Sequence, residues 1–432
     1  MVKLAALTFP GLPVCRRQGE FMRILLLLFL LSAPARAQLP AARADDDGLG
    51  PALVDLNAST RPFALSPGAD ERYDIGIAEM YRLEFDKAGN EFKEIVRLDP
   101  QSPAGYFALA ALSWWRYSQN FDNTEGDFKA IETEFMSNAD KAIELSEKLI
   151  DEGRDLDQAY FFMGSAYGLE GRWYAVQRSW WRAYTHGRKG RKFLKKCVEV
   201  NPAVYDAYLG LGIFDYYAAT LPGTLGLAAK LFVGGDRQRG IEYVKIAKEK
   251  GRFFKTEARF FLVEIYSMHE KDFKAAYAEA QGLRALDPSN MLFRLAELMT
   301  HIQAKDWQGV LDECEAFLGA WQVKPQPGLE PQLALIYLSA GDALIAMKRY
   351  EEAVGWLTTG IEKTGYPEKG WVTYCHLRRA QALDLLGRRD EALADYKTTA
   401  GRPNFWDSKK YARAGLKNAP DYNEVYRQMT VD

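Results

Sequence analysis

The side chains of this 432-residue chain best suited to metal binding or nucleophilic attack are four histidines and four cysteines. Zinc chemistry needs ligands in close pairs, as in HExxH or CxxC. His186, His269, His301 and His376 are singletons, and His269-Glu270 lacks a second ligand nearby. Cys15, Cys197, Cys314 and Cys375 are equally scattered. No G-x-S-x-G, phosphate-binding loop or G-x-G-x-x-G is present. Glu132 and Glu134 are two apart, a spacing that does not bring carboxylates face to face on a helix. No catalytic, cofactor-binding or metal-binding residue is predicted, no cofactor is expected, and the chain reads as a non-enzyme.

Chemistry of recognition is better represented. Between 172 and 198 lie nine basic residues and no acid: Arg172, Arg178, Arg182, Arg188, Lys189, Arg191, Lys192, Lys195 and Lys196. Trp173, Tyr174, Trp180, Trp181 and Tyr184 interleave with them. Two readings stand. One is a solvated helix face whose aromatics fill an internal interface. The other is a patch for an anion or a lipid headgroup, with candidates Arg172, Arg178, Trp180, Trp181, Arg182, Arg188, Lys192 and Lys195. Lys+Arg is 56 and Asp+Glu is 58, and this balance excludes a generically basic nucleic-acid binder. A neighbouring run, 216–235, is apolar with the single charge Lys230. Pro222, Gly223 and Gly226 interrupt it, so it reads as an inserted hairpin rather than a membrane span. After it, Asp236 is placed to cap a helix and Gly240 to lie at a close packing position.

Helices must position these residues. From about residue 69 apolar positions recur at i, i+3, i+4 and i+7, and strand signals are nearly absent. Asp99-Pro100, Asn201-Pro202 and Asp287-Pro288 each end a helix. Reading back from Pro100 gives Phe92, Ala88 and Gly76, or G-x11-A-x3-F-x7-P. The small residues let paired helices approach, Phe92 fills the space between pairs, and proline stops the second helix. The pattern recurs at Tyr160, Met163, Gly164 and Tyr167, and again at Tyr208, Leu211 and Gly212. It returns at Phe273, Ala276, Ala280 and Leu283, at Trp307, Cys314 and Phe317, at Gly341, Ala353 and Leu357, and at Ala380, Leu383, Ala392 and Tyr396.

This succession resembles the tetratricopeptide repeat. The resemblance implies an all-α fold of helical hairpins stacked in a right-handed solenoid over 69–400. It also implies a concave groove lined by first helices, with Tyr73, Ile77 and Tyr81 as partner-groove candidates. Repeat spacing leaves extra residues in the middle, which we assign to inserts near 116–138, 172–187 and 216–235. Residues 401–432 are expected to form a capping helix and a polar tail. The middle region, roughly 100–270, also resembles the eukaryotic tetratricopeptide-repeat domain 39 proteins and their yeast inclusion-body clearance relatives. Gly210, Gly212, Phe214, Leu221, Pro222, Gly235, Asp236, Arg237 and Gly240 carry that likeness. Gly223 departs from it, replacing a second proline. That family implies a non-enzymatic adaptor. It is intracellular, whereas this chain carries an export signal, so only the fold is carried over.

The N-terminus reads as an address. Met22-Arg23, the apolar run from Ile24 to Leu31 and Ala35-Arg36-Ala37 form a Sec-type signal peptide within 1–37, with Met22 the expected start. Residues 38–68 read as a flexible linker. Cleavage after Ala37 removes Lys3, Arg16, Arg17, Arg23, Arg36 and Glu20, leaving a net charge of −6 in place of −2. Three cysteines remain, read as buried thiols. The expected role is an exported scaffold or adaptor that binds a protein or peptide in the bacterial cell envelope. It would be periplasmic, with possible outer-membrane association. The alternative is a lipid or envelope-polymer binder using 172–196 and the hairpin 216–235, in peripheral contact with a membrane. Nucleic acid is not an expected partner.

Overall fold

The structure, a computed structural model, describes residues 63–118, 128–177, 179–220 and 235–430. Residues 1–37, read as a signal peptide, most of the expected linker, Arg178 and the centre of the 216–235 run lie outside the described residues. Within them the chain is all α-helical apart from a π-helical and a 3-10 segment. The helices come in pairs. They are α1 (Ala69–Tyr81) with α2 (Phe85–Leu98), α3 (Pro103–Ser118) with α4 (Phe128–Asp151), and α5 (Leu156–Val176) with α6 (Trp180–Val200). Next come α7 (Ala207–Thr220) with α8 (Arg237–Lys250) and α9 (Lys255–Glu264) with α10 (Phe273–Leu286). Then follow α11 (Met291–Ala304) with α12 (Trp307–Val323), α13 (Leu333–Ala346) with α14 (Tyr350–Glu362), and α15 (Gly370–Leu385) with α16 (Arg389–Gly401). Helices α17 (Ser408–Lys417) and α18 (Tyr422–Met429) end the chain.

Local chemistry sets these boundaries. Asp236, Asp272, Asn290, Asp306 and Asp421 cap helix starts, each accepting a backbone N–H two or three residues on. Asp99, Asn201 and Asp287 precede prolines and take nearly the same extended geometry, with φ of −141°, −146° and −148°. Inside a pair, Gly76 lies flat against the Phe92 ring and Gly341 against Leu357. The repeat thus interlocks as its residue types require. Cys197, Cys314 and Cys375 are free and buried.

Described residues of two expected inserts belong to long helices. α1 and α2 have 13 and 14 residues, whereas α4, α5 and α6 have 24, 21 and 21. Residues assigned to the 172–187 insert continue α5 to Val176 and begin α6 at Trp180. Those near 116–138 end α3 and begin α4, with 119–127 outside the described residues. Extra turns must remain packed, and α5 and α6 achieve this through glycine. A Cβ on Gly164 would stand 3.0 Å from the Gly190 carbonyl oxygen, and one on Gly171 would stand 3.1 Å from the Gly187 nitrogen. The two backbones therefore touch. α7 and α8 cross in the same way at Gly212 and Gly240.

The expected groove is filled where the first pair meets the fifth and sixth. Asp206, buried between α6 and α7, accepts the backbone N–H groups of Arg252, Phe253 and Phe254. That clamp fixes the turn before α9 and aims two rings inward. Phe253 meets Tyr73 of α1 at 4.6 Å between centroids, and Phe254 meets Phe161 of α5 at 5.6 Å and Phe107 of α3 at 6.1 Å. Tyr81 packs on Phe260 and Phe293. Asn290 Nδ2 donates to the Tyr81 carbonyl at 3.2 Å, Gln326 donates to the Arg82 carbonyl at 2.8 Å, and Arg82 pairs with Asp287 at 2.8 Å. The end of α1 is thereby tied to residues more than two hundred positions away. Phe63 and Leu65, assigned to the flexible linker, are buried in this aromatic centre, with Phe63 5.0 Å from Phe161. The last residues of the linker are therefore packed.

Candidate functional site

The groove candidates meet the closure directly. Tyr73 and Tyr81 are buried, and Ile77 is half-buried against the same core. The rings of Tyr73 and Tyr81 are used in packing across the superhelical turn, so these two do not line an accessible groove. Each aromatic pair of this kind contributes about 0.5–1.5 kcal/mol beyond area burial. This corrects the expectation drawn from Tyr73 and Tyr81.

Behind them lies a polar lining. Arg172 Nη1 donates to Glu257 at 2.9 Å, and its guanidinium lies 4.6 Å from the Trp114 ring and 5.2 Å from Phe261. Tyr81 donates to the same glutamate. Tyr217 donates to Glu264 at 2.5 Å, and Tyr216 donates to Glu270 at 2.6 Å. Burial pushes both phenols up. The π-helical segment Ile265–Glu270 carries His269 and Glu270. Arg237 pairs with Glu270 and holds its carboxyl below the usual range. The His269-Glu270 step therefore ties α8 and α7 to the end of α9. Arg172 is an internal strut in this lining and does not belong to a surface anion patch.

The basic residues from Arg182 to Lys196 sit on α6. Arg182, Lys189 and Lys196 are seven residues apart, as are Tyr174, Tyr167 and Tyr160 on α5. The helices run antiparallel, so each cation meets a tyrosine of α5: Arg182 over Tyr174 at 5.5 Å, Lys189 over Tyr167 at 4.8 Å and Lys196 over Tyr160 at 5.3 Å. Phe193 stacks between Tyr160 and Tyr167. Arg188 lies over Tyr184, and Arg191 pairs with the buried Asp215, which Arg239 also holds. Tyr160, Tyr167 and Phe193 were not among the candidates. Their signal was the spacing of seven on two adjacent antiparallel helices.

Rings neutralise no charge. Among the described residues, Arg182, Arg188, Lys189, Lys192 and Lys196 meet no carboxylate at ion-pair distance. They extend over 14 residues of helix, roughly 21 Å. Lys192 is exposed, Lys195 is half-buried with interactions of its own, and Trp181 is 49% exposed at the start of the stripe. The side chain of Trp180 lies outside the description. Beneath the stripe, Glu170 is buried on α5, 3.6 Å from His186. Burial, and then the nearby Asp140, push its carboxyl up to about 7, against the pull of Lys189.

No family model matches the chain. No curated protein matches it. Among solved structures it is similar to the tetratricopeptide-repeat domain of P58(IPK), at 13% identity over 84% of this chain and 99% of that one, with a TM-score of 0.24. It is similar to yeast Tom70 at 11% identity over 82% and 89%, with a TM-score of 0.23. A structure of Naa15/Naa10 bound to HypK-THB is similar at 13% identity over 83% of this chain and 64% of that one, with a TM-score of 0.28. Values this low leave the fold to rest on the chain's own interlocked repeats.

Proposed function

We propose that the chain is an exported, non-enzymatic helical-repeat scaffold of the bacterial cell envelope, and that it holds an acidic protein partner on the outer face of α6. One observation carries the binding reading: of Arg182, Arg188, Lys189, Lys192 and Lys196 on one helix, four lie over tyrosine rings, and none is within ion-pair distance of a carboxylate among the described residues. A rigid row of like charges costs stability unless a counter-charge docks on it. The cation–π contacts hold the row in place without satisfying it. Export is supported by the basic start, short apolar run and A-x-A site within 1–37.

A glutamate-rich fluorescent peptide titrated against the full chain tests the face. Binding should weaken steeply with salt. It should fall at least tenfold in the variant Arg188→Gln/Lys192→Gln. Equal binding by the variant would discard the α6 face. A reporter fused after residue 60 should appear outside the cytoplasm, and its retention inside would discard the envelope location.

Trp181 supports a second reading. An exposed tryptophan beside arginine suits a headgroup layer, so α6 could rest on anionic lipid or an envelope polymer. Flotation with anionic but not neutral vesicles, lost in Trp181→Ala, would favour it over a protein partner.

A further inference from the structure

The C-terminal residues 401–432 were read as a cap and a polar tail. Helix α17 performs the capping: Gly415 packs on Tyr396, and Arg389 donates to the carbonyls of Gly415 and Leu416. The tail instead forms α18, which does not join the stack. It turns back across the first helices α13 and α15. Tyr422 donates to the Ala346 carbonyl at the end of α13 at 2.8 Å. Trp307 Nε1 donates to the Tyr426 hydroxyl at 3.3 Å. Val425 and Met429 are buried against the repeats.

Eight residues make a helix about 12 Å long, far too short to persist alone in water. Its seat therefore induces it, with Asp421 capping its start. The floor of that seat is unusual for a repeat core. Arg378 of α15 is 0% exposed. Its Nε donates to Asp342 at 2.9 Å and its Nη1 to Gln381 at 2.9 Å. Its other contacts reach α18: Nη1 to Gln428 Oε1 at 3.4 Å and Nη2 to the Gln428 carbonyl at 3.0 Å. Gln381 also donates to Gln428 Oε1 at 2.6 Å. The Gln428 carbonyl lies in the last turn of α18, where a helix leaves carbonyls without intrahelical donors and its dipole is negative. A buried cation aimed at such a carbonyl recognises the C-terminal end of a helix, whichever chain supplies it.

We propose that the first-helix side of α13 and α15 is a docking groove for an amphipathic partner helix, and that α18 is the intramolecular occupant such a helix displaces. The partner carries an apolar residue where Val425 sits, another four positions on where Met429 sits, and an amide or carbonyl over Arg378. The linker 418–421 lets α18 leave without disturbing α17. This proposal does not depend on the α6 face.

The probe is a labelled peptide of residues 418–432, used with the full chain. Val425→Asp/Met429→Asp in the chain should unseat α18, and the peptide should then bind at least tenfold more tightly than to the unsubstituted chain. A peptide carrying Val425→Asp should not bind, and one carrying Gln428→Ala should bind several-fold more weakly. A folded variant that fails to bind the peptide, or equal binding by both chains, overturns the proposal. Hydrogen exchange on the unsubstituted chain decides the matter independently of the variant's folding. The α18 amides should exchange at least tenfold faster than those of α13 and α15. Exchange of all three together would make α18 a fixed part of the fold and overturn the proposal.

Discussion

The α5–α6 crossing permits a test in which two neighbouring glycines respond with opposite signs. Gly164 and Gly168 are one helical turn apart on α5. A Cβ on Gly164 would stand 2.7 Å from Leu194 Cγ, 2.9 Å from the Leu194 nitrogen and 3.0 Å from the Gly190 carbonyl oxygen. Two of those atoms are backbone, so α6 itself must retreat, by about 0.5 Å to reach ordinary contact. Overpacking of this kind costs about 1–3 kcal/mol, and backbone on both sides puts Gly164→Ala at the upper end. Replacing glycine in a helix returns about 1 kcal/mol. The net loss is about 2 kcal/mol. A Cβ on Gly168 meets nothing within 4 Å, so Gly168→Ala keeps only the gain. The two variants should therefore differ by about 3 kcal/mol in urea denaturation followed by far-UV circular dichroism. Repeat arrays can unfold in parts, so hydrogen exchange of α5 and α6 should localise the effect. Equal stability of Gly164→Ala and the unsubstituted chain, or equal losses from both substitutions, would refute the close crossing.

Two further outcomes follow from buried charge. Arg172→Met leaves Glu257 inside the closed turn with Tyr81 as its remaining described donor, and should cost about 3–5 kcal/mol. Lys192→Met on the surface should stay within about 0.5 kcal/mol. Similar thermal melts for the two variants would return Arg172 to the surface patch. Glu170 has a pH signature. Its folded carboxyl titrates near 7, raised from the usual 4.5, so its contribution to stability is whole below pH 4.5 and is lost as pH rises through 7. That contribution is on the order of 3 kcal/mol. Glu170→Gln should flatten the stability profile between pH 5 and 7.5 relative to the unsubstituted chain. Parallel profiles would show that the carboxylate is not desolvated.

The repeats were legible because their determinants are local. Gly76, Ala88, Phe92 and Pro100 act within one hairpin, and each hairpin touches its neighbours. Closure of the turn was not legible. Tyr73 meets Phe253 only after small rotations between successive pairs accumulate over 180 positions, and no spacing in the sequence encodes their sum. An aromatic residue on a first helix suits an open groove and a filled one equally well. The extra length of the α5–α6 pair was open to two readings for a related reason. An extra helical turn and an extra loop lengthen a repeat by the same number of residues, and only the backbone contact of Gly164 with Gly190 reveals which occurred.

The nine basic residues between 172 and 198 show where composition stops informing. Arg172 lies inside the turn, Arg182, Lys189 and Lys196 cover tyrosines, and Arg191 holds Asp215. Residue type is the same throughout, and the side of the helix decides each fate. The periodicity of seven that pairs Tyr160, Tyr167 and Tyr174 with Lys196, Lys189 and Arg182 was present in the sequence all along. It becomes a signal only once α5 and α6 are known to be adjacent and antiparallel. The tyrosines fill the α5–α6 interface, and the cations of α6 lie over them. The rings hold the cations in a fixed row, and fixed charges repel one another more than mobile ones can. That stored repulsion, rather than the count of basic residues, is what an acidic partner would relieve.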